Sequence, residues 1–190
     1  MIKSTGMIGL VLAAGALTAC NSEADAPADG GPSGGCNVDY ARLTSHRKVA
    51  FRADVMPILN GSCGLSGSCH DSKGPEAGLV LGDPCQRNDA GTCAPLSEAA
   101  IGAIYANLLE ASRTAPAVKR VAPMKPAESF VLDKMADVQN TKGYACTPQE
   151  PTVEGCGTEM PPNDTLCLQA EGQERFDIVA AWVLQGAPND

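Results

Sequence analysis

The residues best equipped for chemistry lie in one short stretch, Cys63-Gly64-Leu65-Ser66-Gly67-Ser68-Cys69-His70. Two thiols with an imidazole directly after the second can form two thioethers with the vinyl groups of a porphyrin, while the imidazole binds the iron from one face. The usual spacing for that chemistry is C-x-x-C-H. Here five residues separate the cysteines, and only the first thiol has moved, because the Cys69-His70 pair is intact. Gly61, Gly64 and Gly67 surround the displaced thiol, and glycine's access to left-handed backbone angles lets the extra residues bulge out while both sulfurs still reach one ring. The alternative for the same residues is a Cys63–Cys69 disulfide with His70 as a solvated loop side chain. The other histidine, His46, stands beside Arg47 and Lys48 and reads as solvated.

Helices must position this stretch. From Thr44 to Leu59 the apolar residues Phe51, Val55, Ile58 and Leu59 share one helical face, and Thr44 or Ser45 can cap the start. Pro57 breaks the hydrogen-bond ladder, so a kink or a fresh turn is expected there, with the end at Asn60-Gly61 delivering Cys63. Ala77 to Leu81 is a short apolar segment suited to a cofactor edge or to a core strand. Ser97 to Ala111 reads as a second helix capped by Ser97, with Ile101, Ile104, Tyr105, Leu108 and Leu109 as its buried stripe. Pro126 opens a third, with Phe130, Val131 and Met135 inside. Residues 137–156 read as loop. A final helix from about Gly172 to Gln185 places Phe176, Val179, Trp182 and Val183 on one face, and Gly186 stops it. The class is all-α.

The N-terminus points to export. Lys3 is followed by an apolar run from Met7 to Ala16 and then by Leu17-Thr18-Ala19-Cys20, the pattern of a bacterial lipoprotein signal peptide with its lipobox. The run is shorter than the about 20 residues a membrane-spanning helix needs. Such processing makes Cys20 the first mature residue and attaches acyl chains to it, which hold the protein to a bilayer. Asn21 to Gly35 offers nothing to anchor a core and reads as a tether with an r.m.s. span of about 20 Å.

Nine cysteines fit an oxidising compartment. With Cys20, Cys63 and Cys69 set aside, Cys36, Cys85, Cys93, Cys146, Cys156 and Cys167 remain, enough for three disulfides. Cys85 and Cys93 bracket a turn-rich loop and are the expected bridge; the other pairings stay open. The net charge of -8 argues against a nucleic-acid surface. Aromatics are only 4% of the 190 residues, so the single core this length supports must rest on aliphatic packing and whatever cofactor is present.

Phe51-x-x-Asp54-Val55-x-Pro57-Ile58-Leu59, Cys69-His70, Ala77-Gly78-Leu79-x-Leu81, Arg120-Val121-x-Pro123-x-x-Pro126-x-x-Ser129, Gly157-x-x-Met160-Pro161-Pro162 and Ala181-Trp182-Val183-x-x-Gly186-Ala187 follow one another along the chain. In that order they resemble the landmarks of a class I c-type cytochrome domain of exported bacterial lipoproteins. With the N-terminal pattern this divides the chain into a signal peptide over 1–19, a lipidated cysteine and linker over 20–38, and over 39–190 a cytochrome c-like helical domain, which departs from the family in the widened Cys63–Cys69 spacing and in cysteine-bearing insertions around Cys85–Cys93 and Cys146–Cys156 that fit added disulfides. The resemblance implies one haem c attached through Cys63 and Cys69, with His70 as proximal ligand, Met160 as distal ligand, and the Phe51 helix crossing the Trp182 helix. The chemistry suits Met160: a thioether is a soft neutral donor that favours reduced iron, Pro161 and Pro162 stiffen the chain after it, and Gly157 permits a sharp approach. Met56 and Met135 fall in expected helices, and Met124 lies between Pro123 and Pro126, where that pattern carries no ligand.

The function so implied is a non-enzymatic, single-haem electron carrier, exported, anchored to a bilayer through acylated Cys20, and paired with a redox partner protein rather than nucleic acid. The rival is a haem-free, disulfide-stapled lipoprotein that uses the scaffold for binding or structure. A Cys/His metal site or a peroxidase-like haem enzyme fits less well: there is no second cysteine pair at metal-binding spacing, and a methionine-capped iron keeps no open position.

Overall fold

The computed structural model describes residues 36, 38–64, 70–71, 75–82, 96–147, 155–162, 166–168 and 170–190. The expected signal peptide with Cys20, most of the linker, Cys69 and the Cys85–Cys93 bridge lie outside them. Regular structure among the described residues is helical, without a strand; Asp71 bridges Gly82 and Ala111 bridges Lys119 as isolated pairs. No helix among them is long and apolar enough to cross a membrane.

The helix expected over Thr44 to Leu59 divides. A 3-10 segment, Tyr40–Ser45, is capped by Asp39, and it ends where the hydroxyls of Thr44 and Ser45 turn back to the carbonyls of Ala41 and Arg42. The side chains read as starting a helix therefore help to finish one. Helical structure resumes as a π turn, Phe51–Val55, continuous with helix α1, Met56–Cys63, so the fresh turn expected at Pro57 is present. Asp54 organises that start by accepting the Ala50 N–H and pairing with both terminal nitrogens of Arg47. Helix α1 also runs past Asn60-Gly61 to Cys63. The Asn60 side chain packs against Gly82, its Oδ1 occupying the space a Cβ there would need.

Helix α2, Glu98–Leu108, starts as expected on Ser97, whose hydroxyl accepts the Ala100 N–H. Ile104 and Leu108 are buried, and Ile101, Tyr105 and Leu109 pack against the core at its edge. The third helix is split into a 3-10 turn, Pro126–Glu128, and helix α3, Phe130–Met135. Ser129 causes the break: its hydroxyl accepts the Ala122 N–H, and the next two N–H groups go to Lys119 and Arg120 instead of along the helix. Helix α4, Ala170–Leu184, buries Phe176, Val179, Trp182 and Val183 as its spacing predicts. It stops at Gly186, whose φ of 96° is readily adopted by glycine.

The few aromatics are concentrated in the core. Phe51 stacks on Trp182 with centroids 5.2 Å apart, as the resemblance implies, and meets the edge of Tyr105 at 5.3 Å. The Trp182 indole N–H donates to Pro188 O, and the Tyr105 hydroxyl donates to Ala187 O. The C-terminal residues thereby close over the aromatic cluster. Among the described residues two disulfides are present, Cys36–Cys167 and Cys146–Cys156; the sequence leaves both pairings open, and the second lies in an expected insertion.

Candidate functional site

Cys63 is the last residue of α1 and is half-buried. Its carbonyl accepts the backbone N–H of His70 at 3.1 Å, and the His70 carbonyl accepts the N–H of Leu81 at 2.7 Å. The chain that leaves the helix at Cys63 is therefore back beside it seven residues later, whatever path the widened spacing takes. Asp71 continues this pairing with its bridge to Gly82. The approach depends on glycine: a Cβ on Gly64 would lie 3.0 Å from the Gly82 backbone and 3.1 Å from Asn60 Oδ1. His70 is 6% exposed and Asp71 is fully buried. His70 is thus a buried side chain rather than the solvated loop histidine of the alternative reading. His46 is half-buried, with Nδ1 3.3 Å from Arg47 O.

The segment after His70 is fixed from a second side. Arg120, 3% exposed, donates to the carbonyls of Ala77 and Gly78 and to Asn107 O at the end of α2, and pairs with Glu110 at 3.2 Å. Asn107 also bonds Gly78 O and Val80 N. Arg120 and Ser129, sequence landmarks without an assigned role, thus tie the Ala77–Leu81 segment and the turn before α3 into the fold. That segment is a 3-10 turn, Glu76–Gly78, followed by chain without regular structure in which Leu81 is buried.

Met160 is half-buried and is placed by other contacts. Its N–H donates to Lys134 O at 2.9 Å. The Lys134 ammonium donates to Cys156 O at 3.1 Å and to Thr158 O, while Gly157 O accepts from Gln139 and Asn140, each at 3.0 Å. Asn140 Oδ1 takes the Cys156 N–H, and Cys156 is bonded to Cys146. Gly157 has φ of 80°, in keeping with the sharp approach expected there. The other candidate methionines differ: Met56 and Met135 are buried in helices, whereas Met124 is 72% exposed with its N–H on Val183 O.

Burial shapes the charges around the Met160 segment. The Lys134 ammonium is pushed down to about 8 by desolvation, against the pull of Glu159 and Asp137. Asp133, fully buried, is pushed up by burial while the Tyr144 hydroxyl donates to it at 2.7 Å and Lys142 lies 3.2 Å away. Lys134, Gln139 and Asn140 were not singled out from the sequence. The signal for Lys134 was there: Phe130, Asp133 and Lys134 fall at i, i+3 and i+4, which turns both charges toward the buried face.

Among the described residues no group of three His, Cys, Asp or Glu side chains could hold a metal ion. A His/Met-ligated iron would need only His70 from that set. An open hollow of about 480 Å³ between Val118, Pro123 and Tyr144 contains none of Cys63, His70 and Met160. No protein-family model, curated protein or solved structure matches the chain.

Proposed function

We propose that the chain is a single-haem c-type cytochrome that carries electrons and is anchored to a membrane through acylated Cys20. The observation that carries the reading is the hydrogen bond from His70 N–H to Cys63 O at 3.1 Å, together with the burial of the His70 side chain. It supports the reading despite the widened spacing, because the backbone of Cys63 and that of His70 meet at the neck although six residues lie between them in the sequence.

In this reading Cys63 and Cys69 supply the two thioethers, His70 the proximal nitrogen and Met160 the distal sulfur. The haem, when bound, supplies the one-electron couple. The chain's own task is to hold both ligand segments and keep water from them, which the buried His70 neck and the bonded Cys156–Met160 segment are suited to do. Phe51 on Trp182 supports the cytochrome-like arrangement of the terminal helices.

The second reading, a haem-free lipoprotein with a Cys63–Cys69 disulfide, draws on the same closure, since a short neck also suits a bond between the two thiols. The full chain expressed with a cytochrome c maturation system, denatured and stripped of loose haem, separates the two. Haem that stays with the chain is the expected result. A colourless chain whose peptides contain a Cys63–Cys69 bridge would establish the rival.

A further inference from the structure

Lys134 contacts the Met160 segment in three places. Its ammonium donates to the carbonyls of Cys156 and Thr158, and its carbonyl accepts the Met160 N–H. Residues 156, 158 and 160 are all held by this one side chain and its peptide group. The residue is 9% exposed, so the charge has given up most of its water. Burying an ammonium is strongly unfavourable unless it is hydrogen-bonded. A leucine or methionine would fill the same space more cheaply if packing were the only requirement. What the ammonium adds is direction: two carbonyls aimed at one nitrogen fix the register of the chain that leads into Met160.

The neighbouring contacts point the same way. Gln139 and Asn140 take the Gly157 carbonyl, which lies between the two bonded to Lys134, and Asp137 and Glu159 place negative charge near the ammonium. The Cys146–Cys156 disulfide closes the far end of the segment. Lys134 is the member of this set that also bonds the methionine's own peptide.

We propose that Lys134 is a positioning residue for the distal iron ligand, holding Met160 through the backbone of residues 156–160. This rests on the haem reading above. Removing the ammonium while keeping length and volume should leave haem attachment intact and loosen the sixth ligand.

The experiment uses the full chain, matured with haem, as wild type, Lys134→Met and Lys134→Arg. In Lys134→Met the sulfur-to-iron absorption band should weaken, the Met160 methyl resonance should leave its ring-shifted position, and carbon monoxide should bind the reduced protein at least about tenfold more tightly, the usual scale for removing an outer-shell support. Amide exchange at Met160 should quicken. Lys134→Arg, which keeps the charge and the donors, should restore most of the band. If Lys134→Met does not fold, Lys134→Gln is compared instead, its shorter amide reaching one carbonyl at most. A wild type without covalent haem overturns the carrier reading itself. A haem-bearing wild type whose Lys134→Met or Lys134→Gln variant keeps its band, its carbon monoxide affinity and its Met160 exchange rate overturns the positioning role alone.

Discussion

The ring of Phe51 lies on that of Trp182, centroids 5.2 Å apart and planes 26° from parallel, and neither side chain is exposed. The pair joins the start of the α1 segment to the last turns of α4, two parts of the chain about 130 residues apart, a closure whose entropic cost grows only slowly with length. Phe51→Ala should lower unfolding free energy by about 3–5 kcal/mol, the usual cost of deleting a buried aromatic. Phe51 and Trp182 substitutions combined should be non-additive in a denaturation cycle, because the rings are in contact.

Two glycines give opposite expectations. Gly102 lies inside α2 with open space where a Cβ would sit, whereas a Cβ on Gly172 would come within 2.2 Å of the Leu166 carbonyl oxygen. Gly102→Ala should stabilise by about 0.5–1 kcal/mol through backbone entropy. Gly172→Ala should destabilise by about 1–3 kcal/mol, since α4 and Leu166 must move apart. Denaturant midpoints measured side by side check both signs.

Asp54 predicts an acid-dependent loss. Its carboxyl is held at about 2 instead of the usual 3.8, first by the Arg47 guanidinium and then by the Ala50 N–H. A depressed carboxyl stabilises the fold above the unfolded value, and that contribution disappears as pH falls from about 4 through about 2. Asp54→Asn should therefore melt below the wild type at neutral pH, and the difference should close over that window. A gap that persists unchanged to pH 2 would show that the carboxylate's charge is not what matters.

How much of this was readable in advance follows the range of the interactions. The stripes of α2 and α4, the Ser97 cap and the Gly186 stop depend on residues within a turn or two of each other, and spacing alone locates them. Thr44 and Ser45 were misplaced because a hydroxyl can cap the turn before it as well as the one after it, and sequence does not say which carbonyl or N–H it meets. The split at Ser129 comes from backbone partners at Lys119, Arg120 and Ala122, some ten residues away. Lysine is by type a surface residue, and only the carbonyls of Cys156 and Thr158, more than twenty residues along, make the burial of Lys134 tolerable. The proposed site rests on residue types that the sequence displays, Cys63, His70 and Met160; the neck that joins the first two and the contacts that hold the third are long-range and invisible to spacing.

Met160 itself provides a direct test of the carrier reading. Met160→Ala should keep haem on Cys63 and Cys69, lower the midpoint potential and admit external ligands, because a neutral thioether favours the reduced iron. Potentiometric titration beside a carbon monoxide difference spectrum would read both effects. Unchanged potential and absorption would transfer the ligand role to another residue, Met124 being the exposed methionine among the described residues.

Replacing both Cys36 and Cys167 by Ser should reduce stability by about 2–5 kcal/mol. Reductant should bring the wild type down toward the double variant in a thermal melt, provided the Cys146–Cys156 bond is accounted for with its own paired substitution.

The Cys36–Cys167 bond also decides where mechanical load enters the domain. It spans 131 residues, so tension applied from the N-terminal side passes at Cys36 straight across to the root of α4, and the chain between the two cysteines is bypassed. At roughly 3.3–3.6 Å per extended residue, more than 400 Å of contour length is hidden from a pulling force while the bond is oxidised. Tension between the two ends of the chain would then load the start of α4 while the Cys63–His70 neck and the Met160 segment, both inside the bypassed loop, stay outside its path.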